Sequence, residues 1–173
     1  MKRIIAMITF SILSHGAAAS ELFDLFGLKL QQPVSNYTTQ KGNVDAYTGG
    51  PYMEVFDFIP PMTNRDFNDY TLSYNMKTGL VDYVNGWIAF NSLDSCKQSA
   101  RNIAPKLENK YGIKYELEDF SDGANFYFQF SHLRTDDYTN VLCHVAGGYQ
   151  VNLIVEIGTV EYSDALRKSG DNF

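Results

Sequence analysis

The chain has 173 residues, of which 45% are hydrophobic, and carries 20 acidic against 14 basic side chains for a formal charge of −6 at neutral pH. That length suits one domain with one core and is short for two. The acidic excess, with no face or tract rich in Lys and Arg, argues against binding to a phosphate backbone, so no nucleic-acid partner is expected.

The chain opens with Lys2 and Arg3, an apolar run from Ile4 to Leu13, and then small residues that place Ala17 and Ala19 in an A-x-A arrangement. This is the build of an export signal, with cleavage expected after Ala19. Residues 1–19 are therefore read as a signal peptide and 20–173 as a single domain that is periplasmic or secreted. Loss of Lys2 and Arg3 leaves 12 basic side chains against 20, a charge of −8. The apolar run is too short to cross a bilayer, and no later stretch reads as a membrane span.

Leu22 to Leu30 forms a dense apolar entry, read as a first strand ending at Leu28 and Leu30. From Gln31 to Tyr52 the sequence is polar and broken by Pro33, Gly42, Gly49, Gly50 and Pro51, which reads as a long loop. Met53–Ile59 reads as a strand stopped by Pro60 and Pro61. Tyr70–Met76 alternates and turns through Lys77-Thr78-Gly79 into Leu80–Phe90. That last strand is apolar on both faces, with Val84, Ile88 and Phe90 opposed to Val81, Tyr83, Trp87 and Ala89, as in a central strand.

Ser92 to Gly112 is the one long helix of the reading. Leu93, Cys96, Ala100, Ile103, Leu107 and Tyr111 form its apolar stripe, Asn91 or Ser92 its N-cap, and Gly112 its C-terminal stop. Pro105 is expected to bend it. Hairpins follow: Tyr115–Phe120, the Asp122-Gly123 turn, Asn125–His132, then Asn140–Ala146, Gly147-Gly148 and Tyr149–Ile157. Tyr162–Lys168 reads as one helical turn. The fold class is α+β: an antiparallel meander of about seven strands with the long helix packed on one face.

The mature start, Leu25-Phe26-Gly27-Leu28-Lys29-Leu30, and the block Phe67-Asn68-Asp69-Tyr70 through Thr78-Gly79-Leu80-Val81, followed by a Cys-containing helix ending Lys110-Tyr111-Gly112, resemble a loose group of small exported bacterial proteins of unknown role. In that group the opening is similar to FGLKLG, whereas Gln31 stands here at the second glycine. The resemblance implies an exported single domain and brings no catalytic residues.

Cys96 and Cys143 are the only cysteines, and in an oxidising compartment they are expected to form a disulfide, which would close a loop of about fifty residues and contribute roughly 4 kcal/mol. The alternative is two buried thiols. Cys143-His144 is no catalytic pair, because strand neighbours point to opposite faces. Glu116, Glu118, Asp119 and Asp122 gather near a turn but lack the spacing of a calcium loop, as do Asp136 and Asp137, so no metal and no cofactor is expected.

Asp57 and Asp82 are the carboxylates that a hydrolase reading would use, and their plain explanation is exposure on the outer face of the sheet. Tyr83, Trp87 and Tyr127, opposite the side that should meet the helix, are the candidate binding residues. Cover by the 31–52 loop is the competing explanation for them. The functional expectation is an exported, non-catalytic protein that binds a protein or cell-envelope partner, with an inhibitor or immunity protein as one specific form. The alternative is an envelope hydrolase using Asp or Glu residues.

Overall fold

The structure is a computed structural model that describes residues 22–37, 43–47, 51–56, 58–123, 125–146 and 150–169. Residues 1–19, expected to be an export signal, Asp57, and Gly147-Gly148, expected to be a turn, lie outside these residues. Ten strands occur among them: β1 (Asp24–Leu25), β2 (Leu28–Lys29), β3 (Asn43–Tyr47), β4 (Tyr52–Phe56), β5 (Asp69–Asn75), β6 (Val81–Phe90), β7 (Glu116–Asp122), β8 (Asn125–Leu133), β9 (Asp137–Ala146) and β10 (Gln150–Thr159). Two α-helices, α1 (Leu93–Tyr111) and α2 (Val160–Ser169), complete the fold.

Eight strands form one antiparallel sheet in the order β3-β4-β5-β6-β10-β9-β8-β7. Two hairpin meanders thus meet along a single seam, β6 against β10, where Val84 faces Ile157, Gly86 faces Val155 and Ile88 faces Leu153. The α+β class stands. β3 falls in the stretch that reads as loop, where Gly and Pro obscure its short alternation. The apolar entry is not a strand of the main sheet but the separate hairpin β1-β2, turned by Phe26 and Gly27, both at positive φ (54° and 78°).

α1 starts and stops as its sequence dictates. The Ser92 side chain accepts a hydrogen bond from the Ser95 amide, and Gly112 closes the last turn in the left-handed conformation (φ 65°). The helix runs through Pro105 unbroken. Cys96, Ala100 and Ala104 are its buried positions, and the small alanines let it lie close over β9 and β10. Leu93, Ile103, Leu107 and Tyr111 flank that contact, half-buried.

The same face of the sheet carries the β1-β2 hairpin, whose Phe23, Leu25, Leu28 and Leu30 join Leu72, Val84, Phe128, Val141, Leu153, Val155 and Ile157 in the main core. Phe26 sits over Gly86, where an added Cβ would come within 2.7 Å of the ring. This core face is where glycine in a central strand is needed.

The expected disulfide is present. Cys96 and Cys143 are joined at an S–S distance of 2.06 Å and a Cα–Cα distance of 5.9 Å, tying the first turn of α1 to β9. Replacing both cysteines with serine should lower stability by about 2–5 kcal/mol in denaturant titration. An unchanged midpoint would mean that packing alone holds α1 on the sheet.

Candidate functional site

The face opposite α1 has a different make-up. Alternation from the seam places Tyr83, Asn85 and Trp87 of β6 on it, followed across the sheet by Ile154 and Glu156, then Tyr138, Asn140, Leu142 and His144, then Tyr127 and Gln129, and finally Phe120. α2 covers one end, where Tyr162 and Leu166 are buried with Tyr52 and Tyr83. The uncovered remainder is a trough of about 350 Å³ lined by Tyr83, Asn85, Phe120, Tyr127, Gln129, Tyr138, Leu142, His144, Ile154 and Glu156.

Two aromatic ridges bound it. On one side Phe120, Tyr127 and His144 stack across three strands, with centroids 5.0 Å and 4.7 Å apart. On the other, Tyr83 stacks on Tyr162 of α2 at 4.9 Å, and Tyr138 lies flat over Gly158. Glycine is required there, since a Cβ would lie 2.5 Å from the tyrosine ring.

Polar groups converge on Glu156 between the ridges. Its Oε2 accepts from the Tyr83 hydroxyl (2.7 Å) and its Oε1 from Asn140 Nδ2 (2.7 Å), while Asn85 Nδ2 donates to the Tyr83 oxygen (2.9 Å). Burial raises the Glu156 pKa, and the bonds from Tyr83 and Asn140 oppose that rise only in part. Tyr83 and Tyr138 are pushed above the ordinary phenol value, first by burial and then by the adjacent Glu156 charge. Burial lowers the His144 pKa, which favours its neutral form. Asn85 Oδ1 and His144 Nε2 are buried without a hydrogen-bond partner.

The three residues expected to form a binding surface do share this face, though in different states. Tyr127 is the middle ring of the stacked ridge and is largely covered by Phe120 and His144. Tyr83 is buried, and what packs on it is the Tyr162 ring of α2. Trp87 is half-buried and sits beside the trough, paired across the seam with Ile154. Phe120, Tyr138, Glu156 and Asn85 complete the site and were not singled out from the sequence. Alternation puts them on the Trp87 face, so the signal that could have found them is the strand order.

The remaining candidates resolve individually. Cys143 and His144 point to opposite faces, with Cys143 in the disulfide. Glu118 takes the Gln129 amide and Asp119 pairs with Lys97 at 3.0 Å. Among the described residues no group of three His, Cys, Asp or Glu side chains is placed to hold a metal ion. Asp137, set aside in the sequence as lacking calcium-loop spacing, is buried: Arg134 grips it at 2.7 and 2.9 Å, and the Phe23 amide donates to it.

Asp82 also differs from expectation. A β-bulge between Ser73 and Tyr74 breaks the alternation here, turning Val81 into the main core and burying Asp82. Gln31, at φ 62°, brings its amide onto the Asp82 carboxylate, and Thr159 Oγ1 donates to it at 3.3 Å. Burial, reinforced by the charge of Glu161, raises the Asp82 pKa to about 6 against these two hydrogen bonds. No family model, curated protein or solved structure matches this chain.

A folded-state pKa above the unfolded value means that the native state holds the proton more tightly. The contribution of Asp82 is therefore full below about pH 4 and is lost as pH rises through about 6. Asp82→Asn, which keeps an acceptor for Gln31 and Thr159, should gain on the wild type between pH 4 and pH 7 by about 2 kcal/mol. Denaturant titrations at the two pH values check this. A constant difference would contradict it.

Proposed function

We propose that the protein is exported and acts without catalysis, binding a protein or cell-envelope component across the face opposite α1. The observation that carries this reading is the trough, a concave surface with aromatic walls and a few converging polar groups, set on a sheet that α1 and a disulfide brace from behind. Phe120, 45% exposed, and the half-buried Trp87 offer stiff apolar area at its border, the kind of residue that dominates recognition energetics.

The disulfide fits an oxidising compartment, and among the described residues no helix is long and apolar enough to cross a membrane. An inhibitor or immunity protein that blocks a toxin or hydrolase is a specific form of the same reading. It requires a rigid binding face and no reactive group of its own.

Trp87→Ala combined with Phe120→Ala removes exposed ring area without touching α2 or the disulfide. Cross-linked capture from a native envelope extract, with the partner identified by mass spectrometry, should fall by about tenfold or more for this variant, while its unfolding midpoint stays near the wild type's. Undiminished capture of the same partner would remove this face from the account.

A further inference from the structure

The charged side chains that the strands send to the face of the trough have one sign. By register, the charged side chains sharing its face among the described residues are Glu54, Asp69, Glu116, Glu118 and Glu156, all acidic. No lysine or arginine lines the trough, and burial favours the neutral form of His144. Arg167 lies across Tyr138 in a neighbouring depression that also reaches Glu156, and it is paired with Asp164. A carboxylate or phosphate entering the trough would meet Glu156 and find no cation.

Glu156 itself is incompletely served. Each carboxylate oxygen accepts one hydrogen bond, from Tyr83 or from Asn140, so acceptor sites remain, and no cation is paired with it. Beside it, across the seam, Asn85 Oδ1 is a buried acceptor without a donor. A partly buried carboxylate and an orphaned carbonyl on adjacent strands call for a group that is both positive and rich in N–H donors. The rings of Phe120, Tyr127 and Tyr138, with Leu142 and Ile154, call for an apolar body attached to it.

Resting on the reading of the trough as the binding surface, we infer that it binds an organic ammonium group on a short apolar or aromatic stem, with the ammonium between Glu156 and Asn85 and the stem against the aromatic ridges. A free amine and the lysine side chain of a partner protein share this chemistry.

Trp87 is the only tryptophan in the chain and pairs with Ile154 of the trough floor, so its fluorescence reports occupancy. Titration of the full folded protein with phenethylamine, 2-phenylethanol and 3-phenylpropanoate compares one body with positive, neutral and negative ends. The amine should bind about tenfold or more tighter than the alcohol, and the carboxylate more weakly still. Glu156→Gln should abolish the preference, bringing amine and alcohol affinities to within about twofold of each other. Gln129→Lys, which adds a competing cation at the rim, should also weaken the amine.

Nα-acetyllysine methyl ester separates the two sources: its binding assigns a partner's lysine, and binding of phenethylamine alone assigns a free amine. Equal affinities for the three probes, a preference for the carboxylate, or a preference for the amine that survives in Glu156→Gln would overturn the inference. So would failure of both cations to bind. If the Trp87/Phe120 variant still loses its envelope partner in that case, the binding face stands and only its ligand chemistry is wrong.

Discussion

Everything in this fold depends on the ladder between β6 and β10. Strands adjacent in sequence pair as hairpins on either side of it, but these two lie sixty residues apart along the chain and are brought together only when α1 has crossed back over the sheet. Local hairpin signals can form each half. The seam must be closed by the apolar residues that both strands send to the α1 side, Val84 and Ile88 from β6 and Leu153, Val155 and Ile157 from β10.

The seam also divides the molecule by chemistry. On one side, Gly86 lets Phe26 settle against the sheet, and the hairpin and α1, tied down by the disulfide, cover the main core. On the other, Gly158 lets Tyr138 lie flat, and α2 covers only one end. Asn85 and Glu156, neighbours across the seam, therefore lie between an aromatic ridge and a helix, with polar atoms that the fold itself leaves partly unused. Packing on the first face holds the second in place.

The elements with local signals were readable from the sequence. Ser92, Gly112 and the spacing of Cys96 and Ala100 describe α1 before any tertiary contact is known, and two cysteines in one chain allow a single intramolecular pairing. Alternation correctly put Tyr83, Trp87 and Tyr127 on the face away from α1. What alternation does not carry is a bulge or a covering element: Asp82 and Val81 were misplaced because of the β-bulge beside them, and Tyr83 is buried because residues 160–169 form a full amphipathic helix where one turn was expected. The trough was illegible for a further reason. Its walls come from β6, β7, β8, β9 and β10, and their lateral order is a long-range property of the sheet.

The seam can be tested without reference to any ligand. Cross-strand nuclear Overhauser effects on isotopically labelled protein report strand partners directly, and the account requires contacts between the backbones of Gly86 and Val155, and of Ala89 and Asn152. Finding them would place Asn85 beside Glu156 and establish the two-faced sheet. Contacts that pair β6 with any strand of the second meander other than β10 would dismantle both the trough and the account built on it.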